Sequence, residues 1–296
     1  MLQRLFPCLP PHLCRALAQM QESNADFDTR LTELRLRADR NVSLSLGGRN
    51  VLLPLCVTKK ELSTIFEKMC DNSVYAHAES LRMGYLHAFG FRVGVAGRVV
   101  CEGGRILTVT DVTSLSIRIP HLIPGAGEVA ARAFWEMGAR QGLLVYSPPG
   151  VGKTTLLRDL ACTLSRGENA KRVTLIDTRG ELYGEGVPAA CQIDVLRDAP
   201  IAEGIAMATR TLSPEVIVCD EIGSEAEAAA ILSVIGCGVP IVASAHGGSV
   251  EEIGRRPPMR RLLESGVFGA AIGIVRLGQD FSYSVSVLEE WRACFV

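Results

Sequence analysis

The sequence predicts an α/β protein in which a parallel sheet, covered by helices on both faces, is preceded by a smaller α+β N-terminal domain. Three observations predict it. The second half of the chain carries the continuous apolar runs LLVYS, RVTLID, VIVCDE, PIVASA and AIGIVRL, with helical stretches between them; strands apolar at every position are buried on both faces. The first half alternates instead, with Leu34 and Leu36, then VSLSL and VLLPL around a Gly47-Gly48-Arg49-Asn50 turn. Between the strand LLVY and the helical TTLLRDLACTL stands the glycine-rich segment S-P-P-G-V-G-K-T-T.

Taken in order, strands joined by a hairpin are expected from Thr32 to Leu55. Thr58 with Glu61 makes a capping box that opens a helix through about Met69, and a second helix is expected from Ser73 to Met83, closed by Gly84. GYLHAFGFRVGVAGRVVCEGGRILTV is β-rich and punctuated by glycine, which predicts a bent sheet or paired hairpins. SIRIPHLIPGAGE, near residues 116–128, reads as a linker and sets domains at 1–122 and 123–296. In the second domain Ser224 with Glu227 and Ser249 with Glu252 are capping boxes, and Pro258 and Gly266 bracket a short helix. FSYSVSV alternates and is expected to return as an antiparallel strand.

Composition narrows the function classes. With 296 residues, 48% of them hydrophobic, the chain is long enough for two domains or one large domain with a full core. Lys and Arg number 31 against 32 Asp and Glu, so no global basic excess points to nucleic acid. Residues 1–120 hold 15 basic and 11 acidic side chains and residues 121–296 hold 16 and 21, which suggests two parts with different surfaces. None of the ten cysteines is at C-x-x-C spacing, and several, such as Cys162, Cys219 and Cys237, lie in apolar runs, as free thiols in a reducing compartment do. Pro7, Pro10 and Pro11 break any signal-peptide core, and no apolar run reaches spanning length. A cytoplasmic location is expected, with peripheral attachment to a membrane complex left open.

The segment Ser147, Pro148, Pro149, Gly150, Val151, Gly152, Lys153, Thr154 and Thr155 has the context a phosphate loop needs, with a strand before it and a helix after. A tight glycine loop turns backbone N–H groups inward, the helix points its positive end at the anion, Lys153 reaches the terminal phosphates of ATP, and the Thr154 hydroxyl ligates Mg2+. The first position departs from G-x-x-x-x-G-K-[ST], since Ser147 replaces glycine. The strand VIVC ends in Asp220, placed to hold magnesium through water, and Glu221, placed to orient and deprotonate an attacking water. RVTLIDTRGEL lies between these two strands in the sequence and supplies room for an intervening strand, an arrangement suited to a RecA-like P-loop hydrolase. Asp177 and Glu181 follow that run, either completing the magnesium and water network or standing as solvated strand-end charges. His246 ends PIVASAH, where an imidazole serves as a γ-phosphate sensor or as a structural group; His12, His77, His87 and His121 are read as structural.

Several segments together resemble the stage III sporulation AA family of the type II and type IV secretion ATPase superfamily: ELRLR, FRVGVAGRVV, SIRIP, SPPGVGKTTLLRDL, ATRTLSPEVIVCDEIG and SAHGGSVEEIGRRP. The resemblance implies a Walker A loop at Ser147–Thr154, an Asp box around Asp177–Glu181, a Walker B strand ending at Asp220 and Glu221, and a His box at His246. It also implies a homohexameric ring whose nucleotide sites lie between the two domains and are completed by arginines, with Arg92, Arg98 and Arg210 as candidates. By the same resemblance the partners are membrane proteins of a channel joining mother cell and forespore. HAFGF lacks the second glycine and the basic residue common before RVG in that superfamily. Two other functions suit the same residues. One is a nucleic-acid-stimulated ATPase, since plastid and cyanobacterial relatives carry an added nucleic-acid module, although no aromatic-and-basic stripe appears here. The other is a scaffold gated by nucleotide without meaningful turnover.

Overall fold

A computed structural model describes residues 2–183, 187–277 and 280–289. Two units, Met1–His121 and Leu122–Val296, each carry a sheet of their own.

In the first unit, α1 (Pro11–Ser23) and the short α2 (Phe27–Arg30) precede β1 (Leu31–Arg37), β2 (Arg40–Leu46) and β3 (Arg49–Val57). Next come α3 (Lys59–Met69), a 3-10 turn (Val74–His77), α4 (Ala78–Arg82), β4 (Tyr85–Ala88), β5 (Phe91–Glu102) and β6 (Arg105–Arg118). The sheet is antiparallel throughout, in the order β3-β2-β1-β6-β5-β4. Alternation decides which face is buried: Leu34 and Leu36 of β1 sit opposite Ile117 and Leu115 of β6, and all four join one core with Leu62, Ile65 and Met69 of α3. The β2–β3 connection is the two-residue turn Gly47-Gly48 with φ of +57° and +82°, a conformation matched to strand twist that glycine adopts without penalty. Both arms of the Thr58–Glu61 capping box are present at the start of α3.

Two expectations need correction here. The helix expected from Ser73 to Met83 is a 3-10 turn followed by five helical residues, because Val74 and Tyr75 are exposed and only Leu81 is buried, too little apolar stripe to hold a longer helix. The supposed linker begins later than expected: Ser116, Ile117 and Arg118 complete β6 in register with Arg35, Leu34 and Glu33, and Ile117 is fully buried.

The second unit contains α5 (Glu128–Glu136), β7 (Gly142–Ser147), α6 (Lys153–Leu164), β8 (Val173–Asp177), β9 (Ile193–Arg197), α7 (Ile201–Thr211) and β10 (Val216–Cys219). It continues with α8 (Glu225–Ser233), β11 (Ile241–His246), α9 (Val250–Gly254), α10 (Pro257–Ser265), β12 (Phe268–Leu277) and β13 (Asp280–Val287). The order is β13-β12-β7-β11-β10-β8-β9, parallel except for the antiparallel β12–β13 pair that FSYSVSV forms. Every residue of β7, β8 and β10 is buried, and neighbours along a strand face different cores. Leu144 and Ile217 pack with Ile205, Ile231 and Leu262 on one side, while Leu143, Val145 and Val218 pack with Phe134, Leu157 and Leu160 on the other. Two covered faces explain why these strands read as unbroken apolar runs.

The run RVTLID, now β8, does not stand between the phosphate-loop strand and the carboxylate strand. In the sheet β11 separates β7 from β10, and β8 lies on the far side of β10. Strand order in a parallel sheet is set by crossovers and packing, not by position in the chain. The edge strand β9 was not anticipated, because IDVLR is partly exposed and mixes charges with its apolar residues. Ser224 and Glu227 form the full capping box of α8, whereas α9 has half of one: Ser249 accepts from Glu252 N, but the Glu252 carboxylate takes the N–H of Gly248 at 2.6 Å. The helix bracketed by Pro258 and Gly266 is α10, ended by Gly266 at φ +81°.

Candidate functional site

The chain leaves the buried strand β7 at Ser147 and re-enters regular structure at Lys153, the first residue of α6. The turn needs glycine at two places, Gly150 at φ +74° and Gly152 at φ +114°, both in the region that L side chains avoid. A Cβ built on Gly150 meets nothing within 4 Å, so this side of the loop is open, as a cradle for an anion must be. Ser147 is not among the positive-φ residues, so no glycine is required there for the backbone to turn. Its carbonyl is used instead, accepting from Lys153 Nζ at 3.1 Å and from Gly247 N at 3.3 Å. The Lys153 ammonium also donates to Pro148 O at 3.3 Å and to His246 Nδ1 at 2.9 Å. Burial lowers its pKa, and Asp220 and Glu221 oppose the shift. None of these direct hydrogen-bond partners is an anion, so the charge is desolvated without a counter-ion in contact.

Immediately after β10, Asp220 is gripped by two hydroxyls: Thr154 Oγ1 donates to its Oδ2 at 2.8 Å, and Ser244 Oγ of β11 donates to its Oδ1. Burial raises the Asp220 pKa, and these two hydrogen bonds pull it back. Glu221 stands at φ +54°, a left-handed conformation that costs a non-glycine residue about 1–2 kcal/mol. It is held there by its N–H to Ser244 Oγ at 3.0 Å and by Ile222 N to Ser244 O at 2.8 Å. The turn aims the Glu221 carboxylate back over the sheet, where Oε1 lies 2.9 Å from His246 Nε2 and Oε2 is ion-paired with Arg179. Because the Lys153 ammonium must donate to Nδ1, the hydrogen of a neutral His246 sits on Nε2 and is donated to Glu221. A continuous chain, Lys153 to His246 to Glu221, thus joins the phosphate loop to the carboxylate strand.

A profile of the family described as "Sporulation stage III, protein AA" matches residues 10–280. The chain belongs to that family. Stage III sporulation protein AA of Bacillus subtilis (strain 168) is 34% identical over 277 residues, covering 90% of this chain and 89% of that protein. Protein SEEDLING PLASTID DEVELOPMENT 1 of Arabidopsis thaliana is 33% identical over 169 residues, which is 55% of this chain and 24% of that much longer protein. Among solved structures, the ATPase DotB of Legionella pneumophila superimposes with a TM-score of 0.66 at 15% identity, covering 97% of this chain and 83% of its own. The pilus retraction motor PilT with bound ADP gives 0.63 at 13% identity, covering 90% and 83%. The likeness establishes the fold: a RecA-like P-loop domain with a mostly parallel sheet, preceded by an α+β N-terminal domain.

In this stage III AA family member, five of the residues singled out from sequence converge: Lys153, Thr154, Asp220, Glu221 and His246. Arg210 does not join them. It lies exposed near the end of α7, its Nε donates to Ala206 O at 2.9 Å, and no hydrogen bond or ion pair among the described residues links it to the cluster. In the first unit Arg92 stacks on the Tyr85 ring at 4.6 Å, and Arg98 pairs with Asp111 at 3.3 Å. Asp177 is not a solvated charge. It is buried, and its carboxylate accepts the N–H groups of Glu181, Leu182 and Tyr183 at 2.8–3.0 Å, fixing the loop after β8. Arg158 of α6 secures the same loop by donating to the carbonyls of Glu181 and Leu182.

Sequence reasoning missed Ser244, Arg179 and Arg256, whose guanidinium donates to His246 O at 2.5 Å. Ser244 carried a readable signal: it is the one hydroxyl within IVASAH and sits two residues from His246, so both project to the same face of a strand. Arg179 follows the RVTLID tip by two residues, and nothing local marks it. Ser244→Ala removes the donor to Asp220 and the acceptor for Glu221 N at a fully buried position. It is expected to lower stability by about 1–3 kcal/mol, measured as an earlier urea midpoint at unchanged slope. Among the described residues no helix is long and apolar enough to cross a membrane, and no three His, Cys, Asp or Glu side chains converge as a metal site.

Proposed function

We propose that this stage III AA family member hydrolyses ATP with Mg2+ and works as a homohexameric motor of a sporulation channel complex. The observation that carries the reading is the hydrogen-bonded join between loop and carboxylates: Thr154 Oγ1 is 2.8 Å from Asp220, and Lys153 is linked through His246 to Glu221.

In this reading the backbone N–H groups of residues 150–155, which include the start of α6, receive phosphate oxygens, as helix N-termini receive anions. Lys153 supplies the counter-charge to the terminal phosphates that its carbonyl partners do not use. Thr154 Oγ1 and the Asp220 carboxylate form a hard-oxygen donor set suited to magnesium, which keeps several of its waters. Bound there, the ion would neutralise charge on the β- and γ-phosphates. Glu221 accepts the proton of the attacking water, and His246 orients it through Nε2–H. Arg210, together with Arg92 and Arg98, is proposed to act across a subunit boundary in the ring.

Family membership supports the sporulation role, and the fold shared with DotB, titled an ATPase, and PilT, titled a pilus retraction motor, supports the motor reading. Phosphate release by the purified chain tests the reading. Turnover is expected in Mg2+, with a specific rate that rises with protein concentration as rings assemble, and none in EDTA. No release at any concentration would refute it.

A further inference from the structure

Both oxygens of the Glu221 carboxylate are engaged, Oε1 by His246 and Oε2 by Arg179. A carboxylate with a donor on each oxygen is committed to those partners, and a water that is to be activated needs one of the oxygens as its acceptor. One of the two partners must let go before Glu221 can activate water. The two are held differently. His246 ends a central strand and is fixed at both ring nitrogens, by Lys153 and by Glu221.

Arg179 stands on a loop whose backbone is pinned while its own side chain is not. The buried Asp177 carboxylate takes three consecutive N–H groups of that loop, and the buried Arg158 takes two of its carbonyls. The Arg179 guanidinium itself is 47% exposed, and an ion pair so exposed is weak. Arg179 therefore has a fixed root and a movable head. Its charge also bears on the Lys153 ammonium and disfavours it, so the two cations share one small region. A multiply charged anion beside Lys153 relieves that repulsion, and it attracts a guanidinium more strongly than a single carboxylate does.

The geometry points to Arg179 as a cation that exchanges partners within its own chain. Without a γ-phosphate it holds Glu221 Oε2; with one it turns to the γ-phosphate oxygens and leaves Glu221 free to face the attacking water. The inference rests on the ATPase reading and adds a consequence: the base is released only when a triphosphate is bound, so the diphosphate leaves it restrained.

Calorimetric titration of the full chain with Mg·ADP and with the Mg complex of β,γ-imido-ATP tests this. Arg179→Ala is expected to weaken the imido analogue by about tenfold while leaving ADP within about twofold, and Arg179→Lys, which keeps the charge and the pinned loop, is expected to recover part of the loss. If neither affinity changes, Arg179 only tethers Glu221 and the exchange is wrong. If both fall equally, with Arg179→Lys as impaired as Arg179→Ala, Arg179 merely supports the loop and the exchange is again wrong. Failure of the wild-type chain to bind either nucleotide would remove the ATPase reading itself, and the exchange with it.

Discussion

Glu221→Gln is expected to bind ATP about as well as the wild-type chain and to hydrolyse it some 10²–10⁴-fold more slowly, the range that a positioned general base contributes. The two effects separate because of where Glu221 sits. It follows β10, and its links run to His246, Arg179 and Ser244, so no residue of the phosphate loop bonds to its side chain directly. Glutamine keeps a carbonyl oxygen to accept from His246 Nε2 and preserves the side-chain volume, so the turn at φ +54° and the neighbouring Asp220 stay in place. What is lost is the ability to take a proton. Filter or fluorescence binding of labelled ATP, alongside steady-state phosphate release, checks the two halves. Normal turnover would remove Glu221 from the role assigned to it.

Lys153→Ala is expected to impair both halves. Its ammonium is the central donor of the site, bonded to two loop carbonyls and to His246, and it is buried with no carboxylate in contact. A charge-assisted hydrogen bond to a phosphate contributes about 1.5–3 kcal/mol, so ATP affinity should fall by roughly 10- to 150-fold. Loss of charge stabilisation in the transition state should cost a further factor of about 10²–10³ in turnover. The substitution also leaves His246 Nδ1 without its donor, which frees the ring to take either tautomer and disorders its hold on Glu221. Since α6 keeps its buried stripe of Leu156, Leu157 and Leu160, the fold itself should be little changed, and an unaltered circular dichroism spectrum would separate a lesion of the site from unfolding.

How far the fold was legible depended on whether the signal was local. The unbroken apolar runs of β7, β8 and β10, the capping boxes at Thr58 and Ser224, and the glycines that turn the loop before α6 are all written within a few residues of where they act. Strand order is not. Nothing in IVASAH says that it inserts between β7 and β10, yet that insertion puts Ser244 under both Asp220 and Glu221 and lets His246 reach Lys153 and Glu221 at once. The linker was read too early because prolines at 120 and 124 drew attention away from the alternation of Leu115 and Ile117, which belongs to a strand.

The candidate site shows the same division. Residues with a distinctive type and spacing, Lys153, Thr154, Asp220 and Glu221, could be named in advance, and the coordinates bring them together. Arg179 could not, because an arginine two residues past a strand end is unremarkable until a loop pinned by Asp177 and Arg158 presents it to Glu221. Asp177 is not the solvated strand-end charge that its place after an apolar run allows. Three backbone N–H groups occupy its oxygens, a role that spacing alone does not distinguish from that one.

The measurement that bears most directly on all of this is an experimental structure of the full chain with Mg2+ and β,γ-imido-ATP. The account predicts β- and γ-phosphates in the loop of residues 148–153, with Lys153 Nζ on their oxygens, the metal on Thr154 Oγ1 facing Asp220, and Glu221 turned toward the γ-phosphorus. Triphosphate density elsewhere on the protein, or a loop whose amides and Lys153 touch no phosphate, would contradict it.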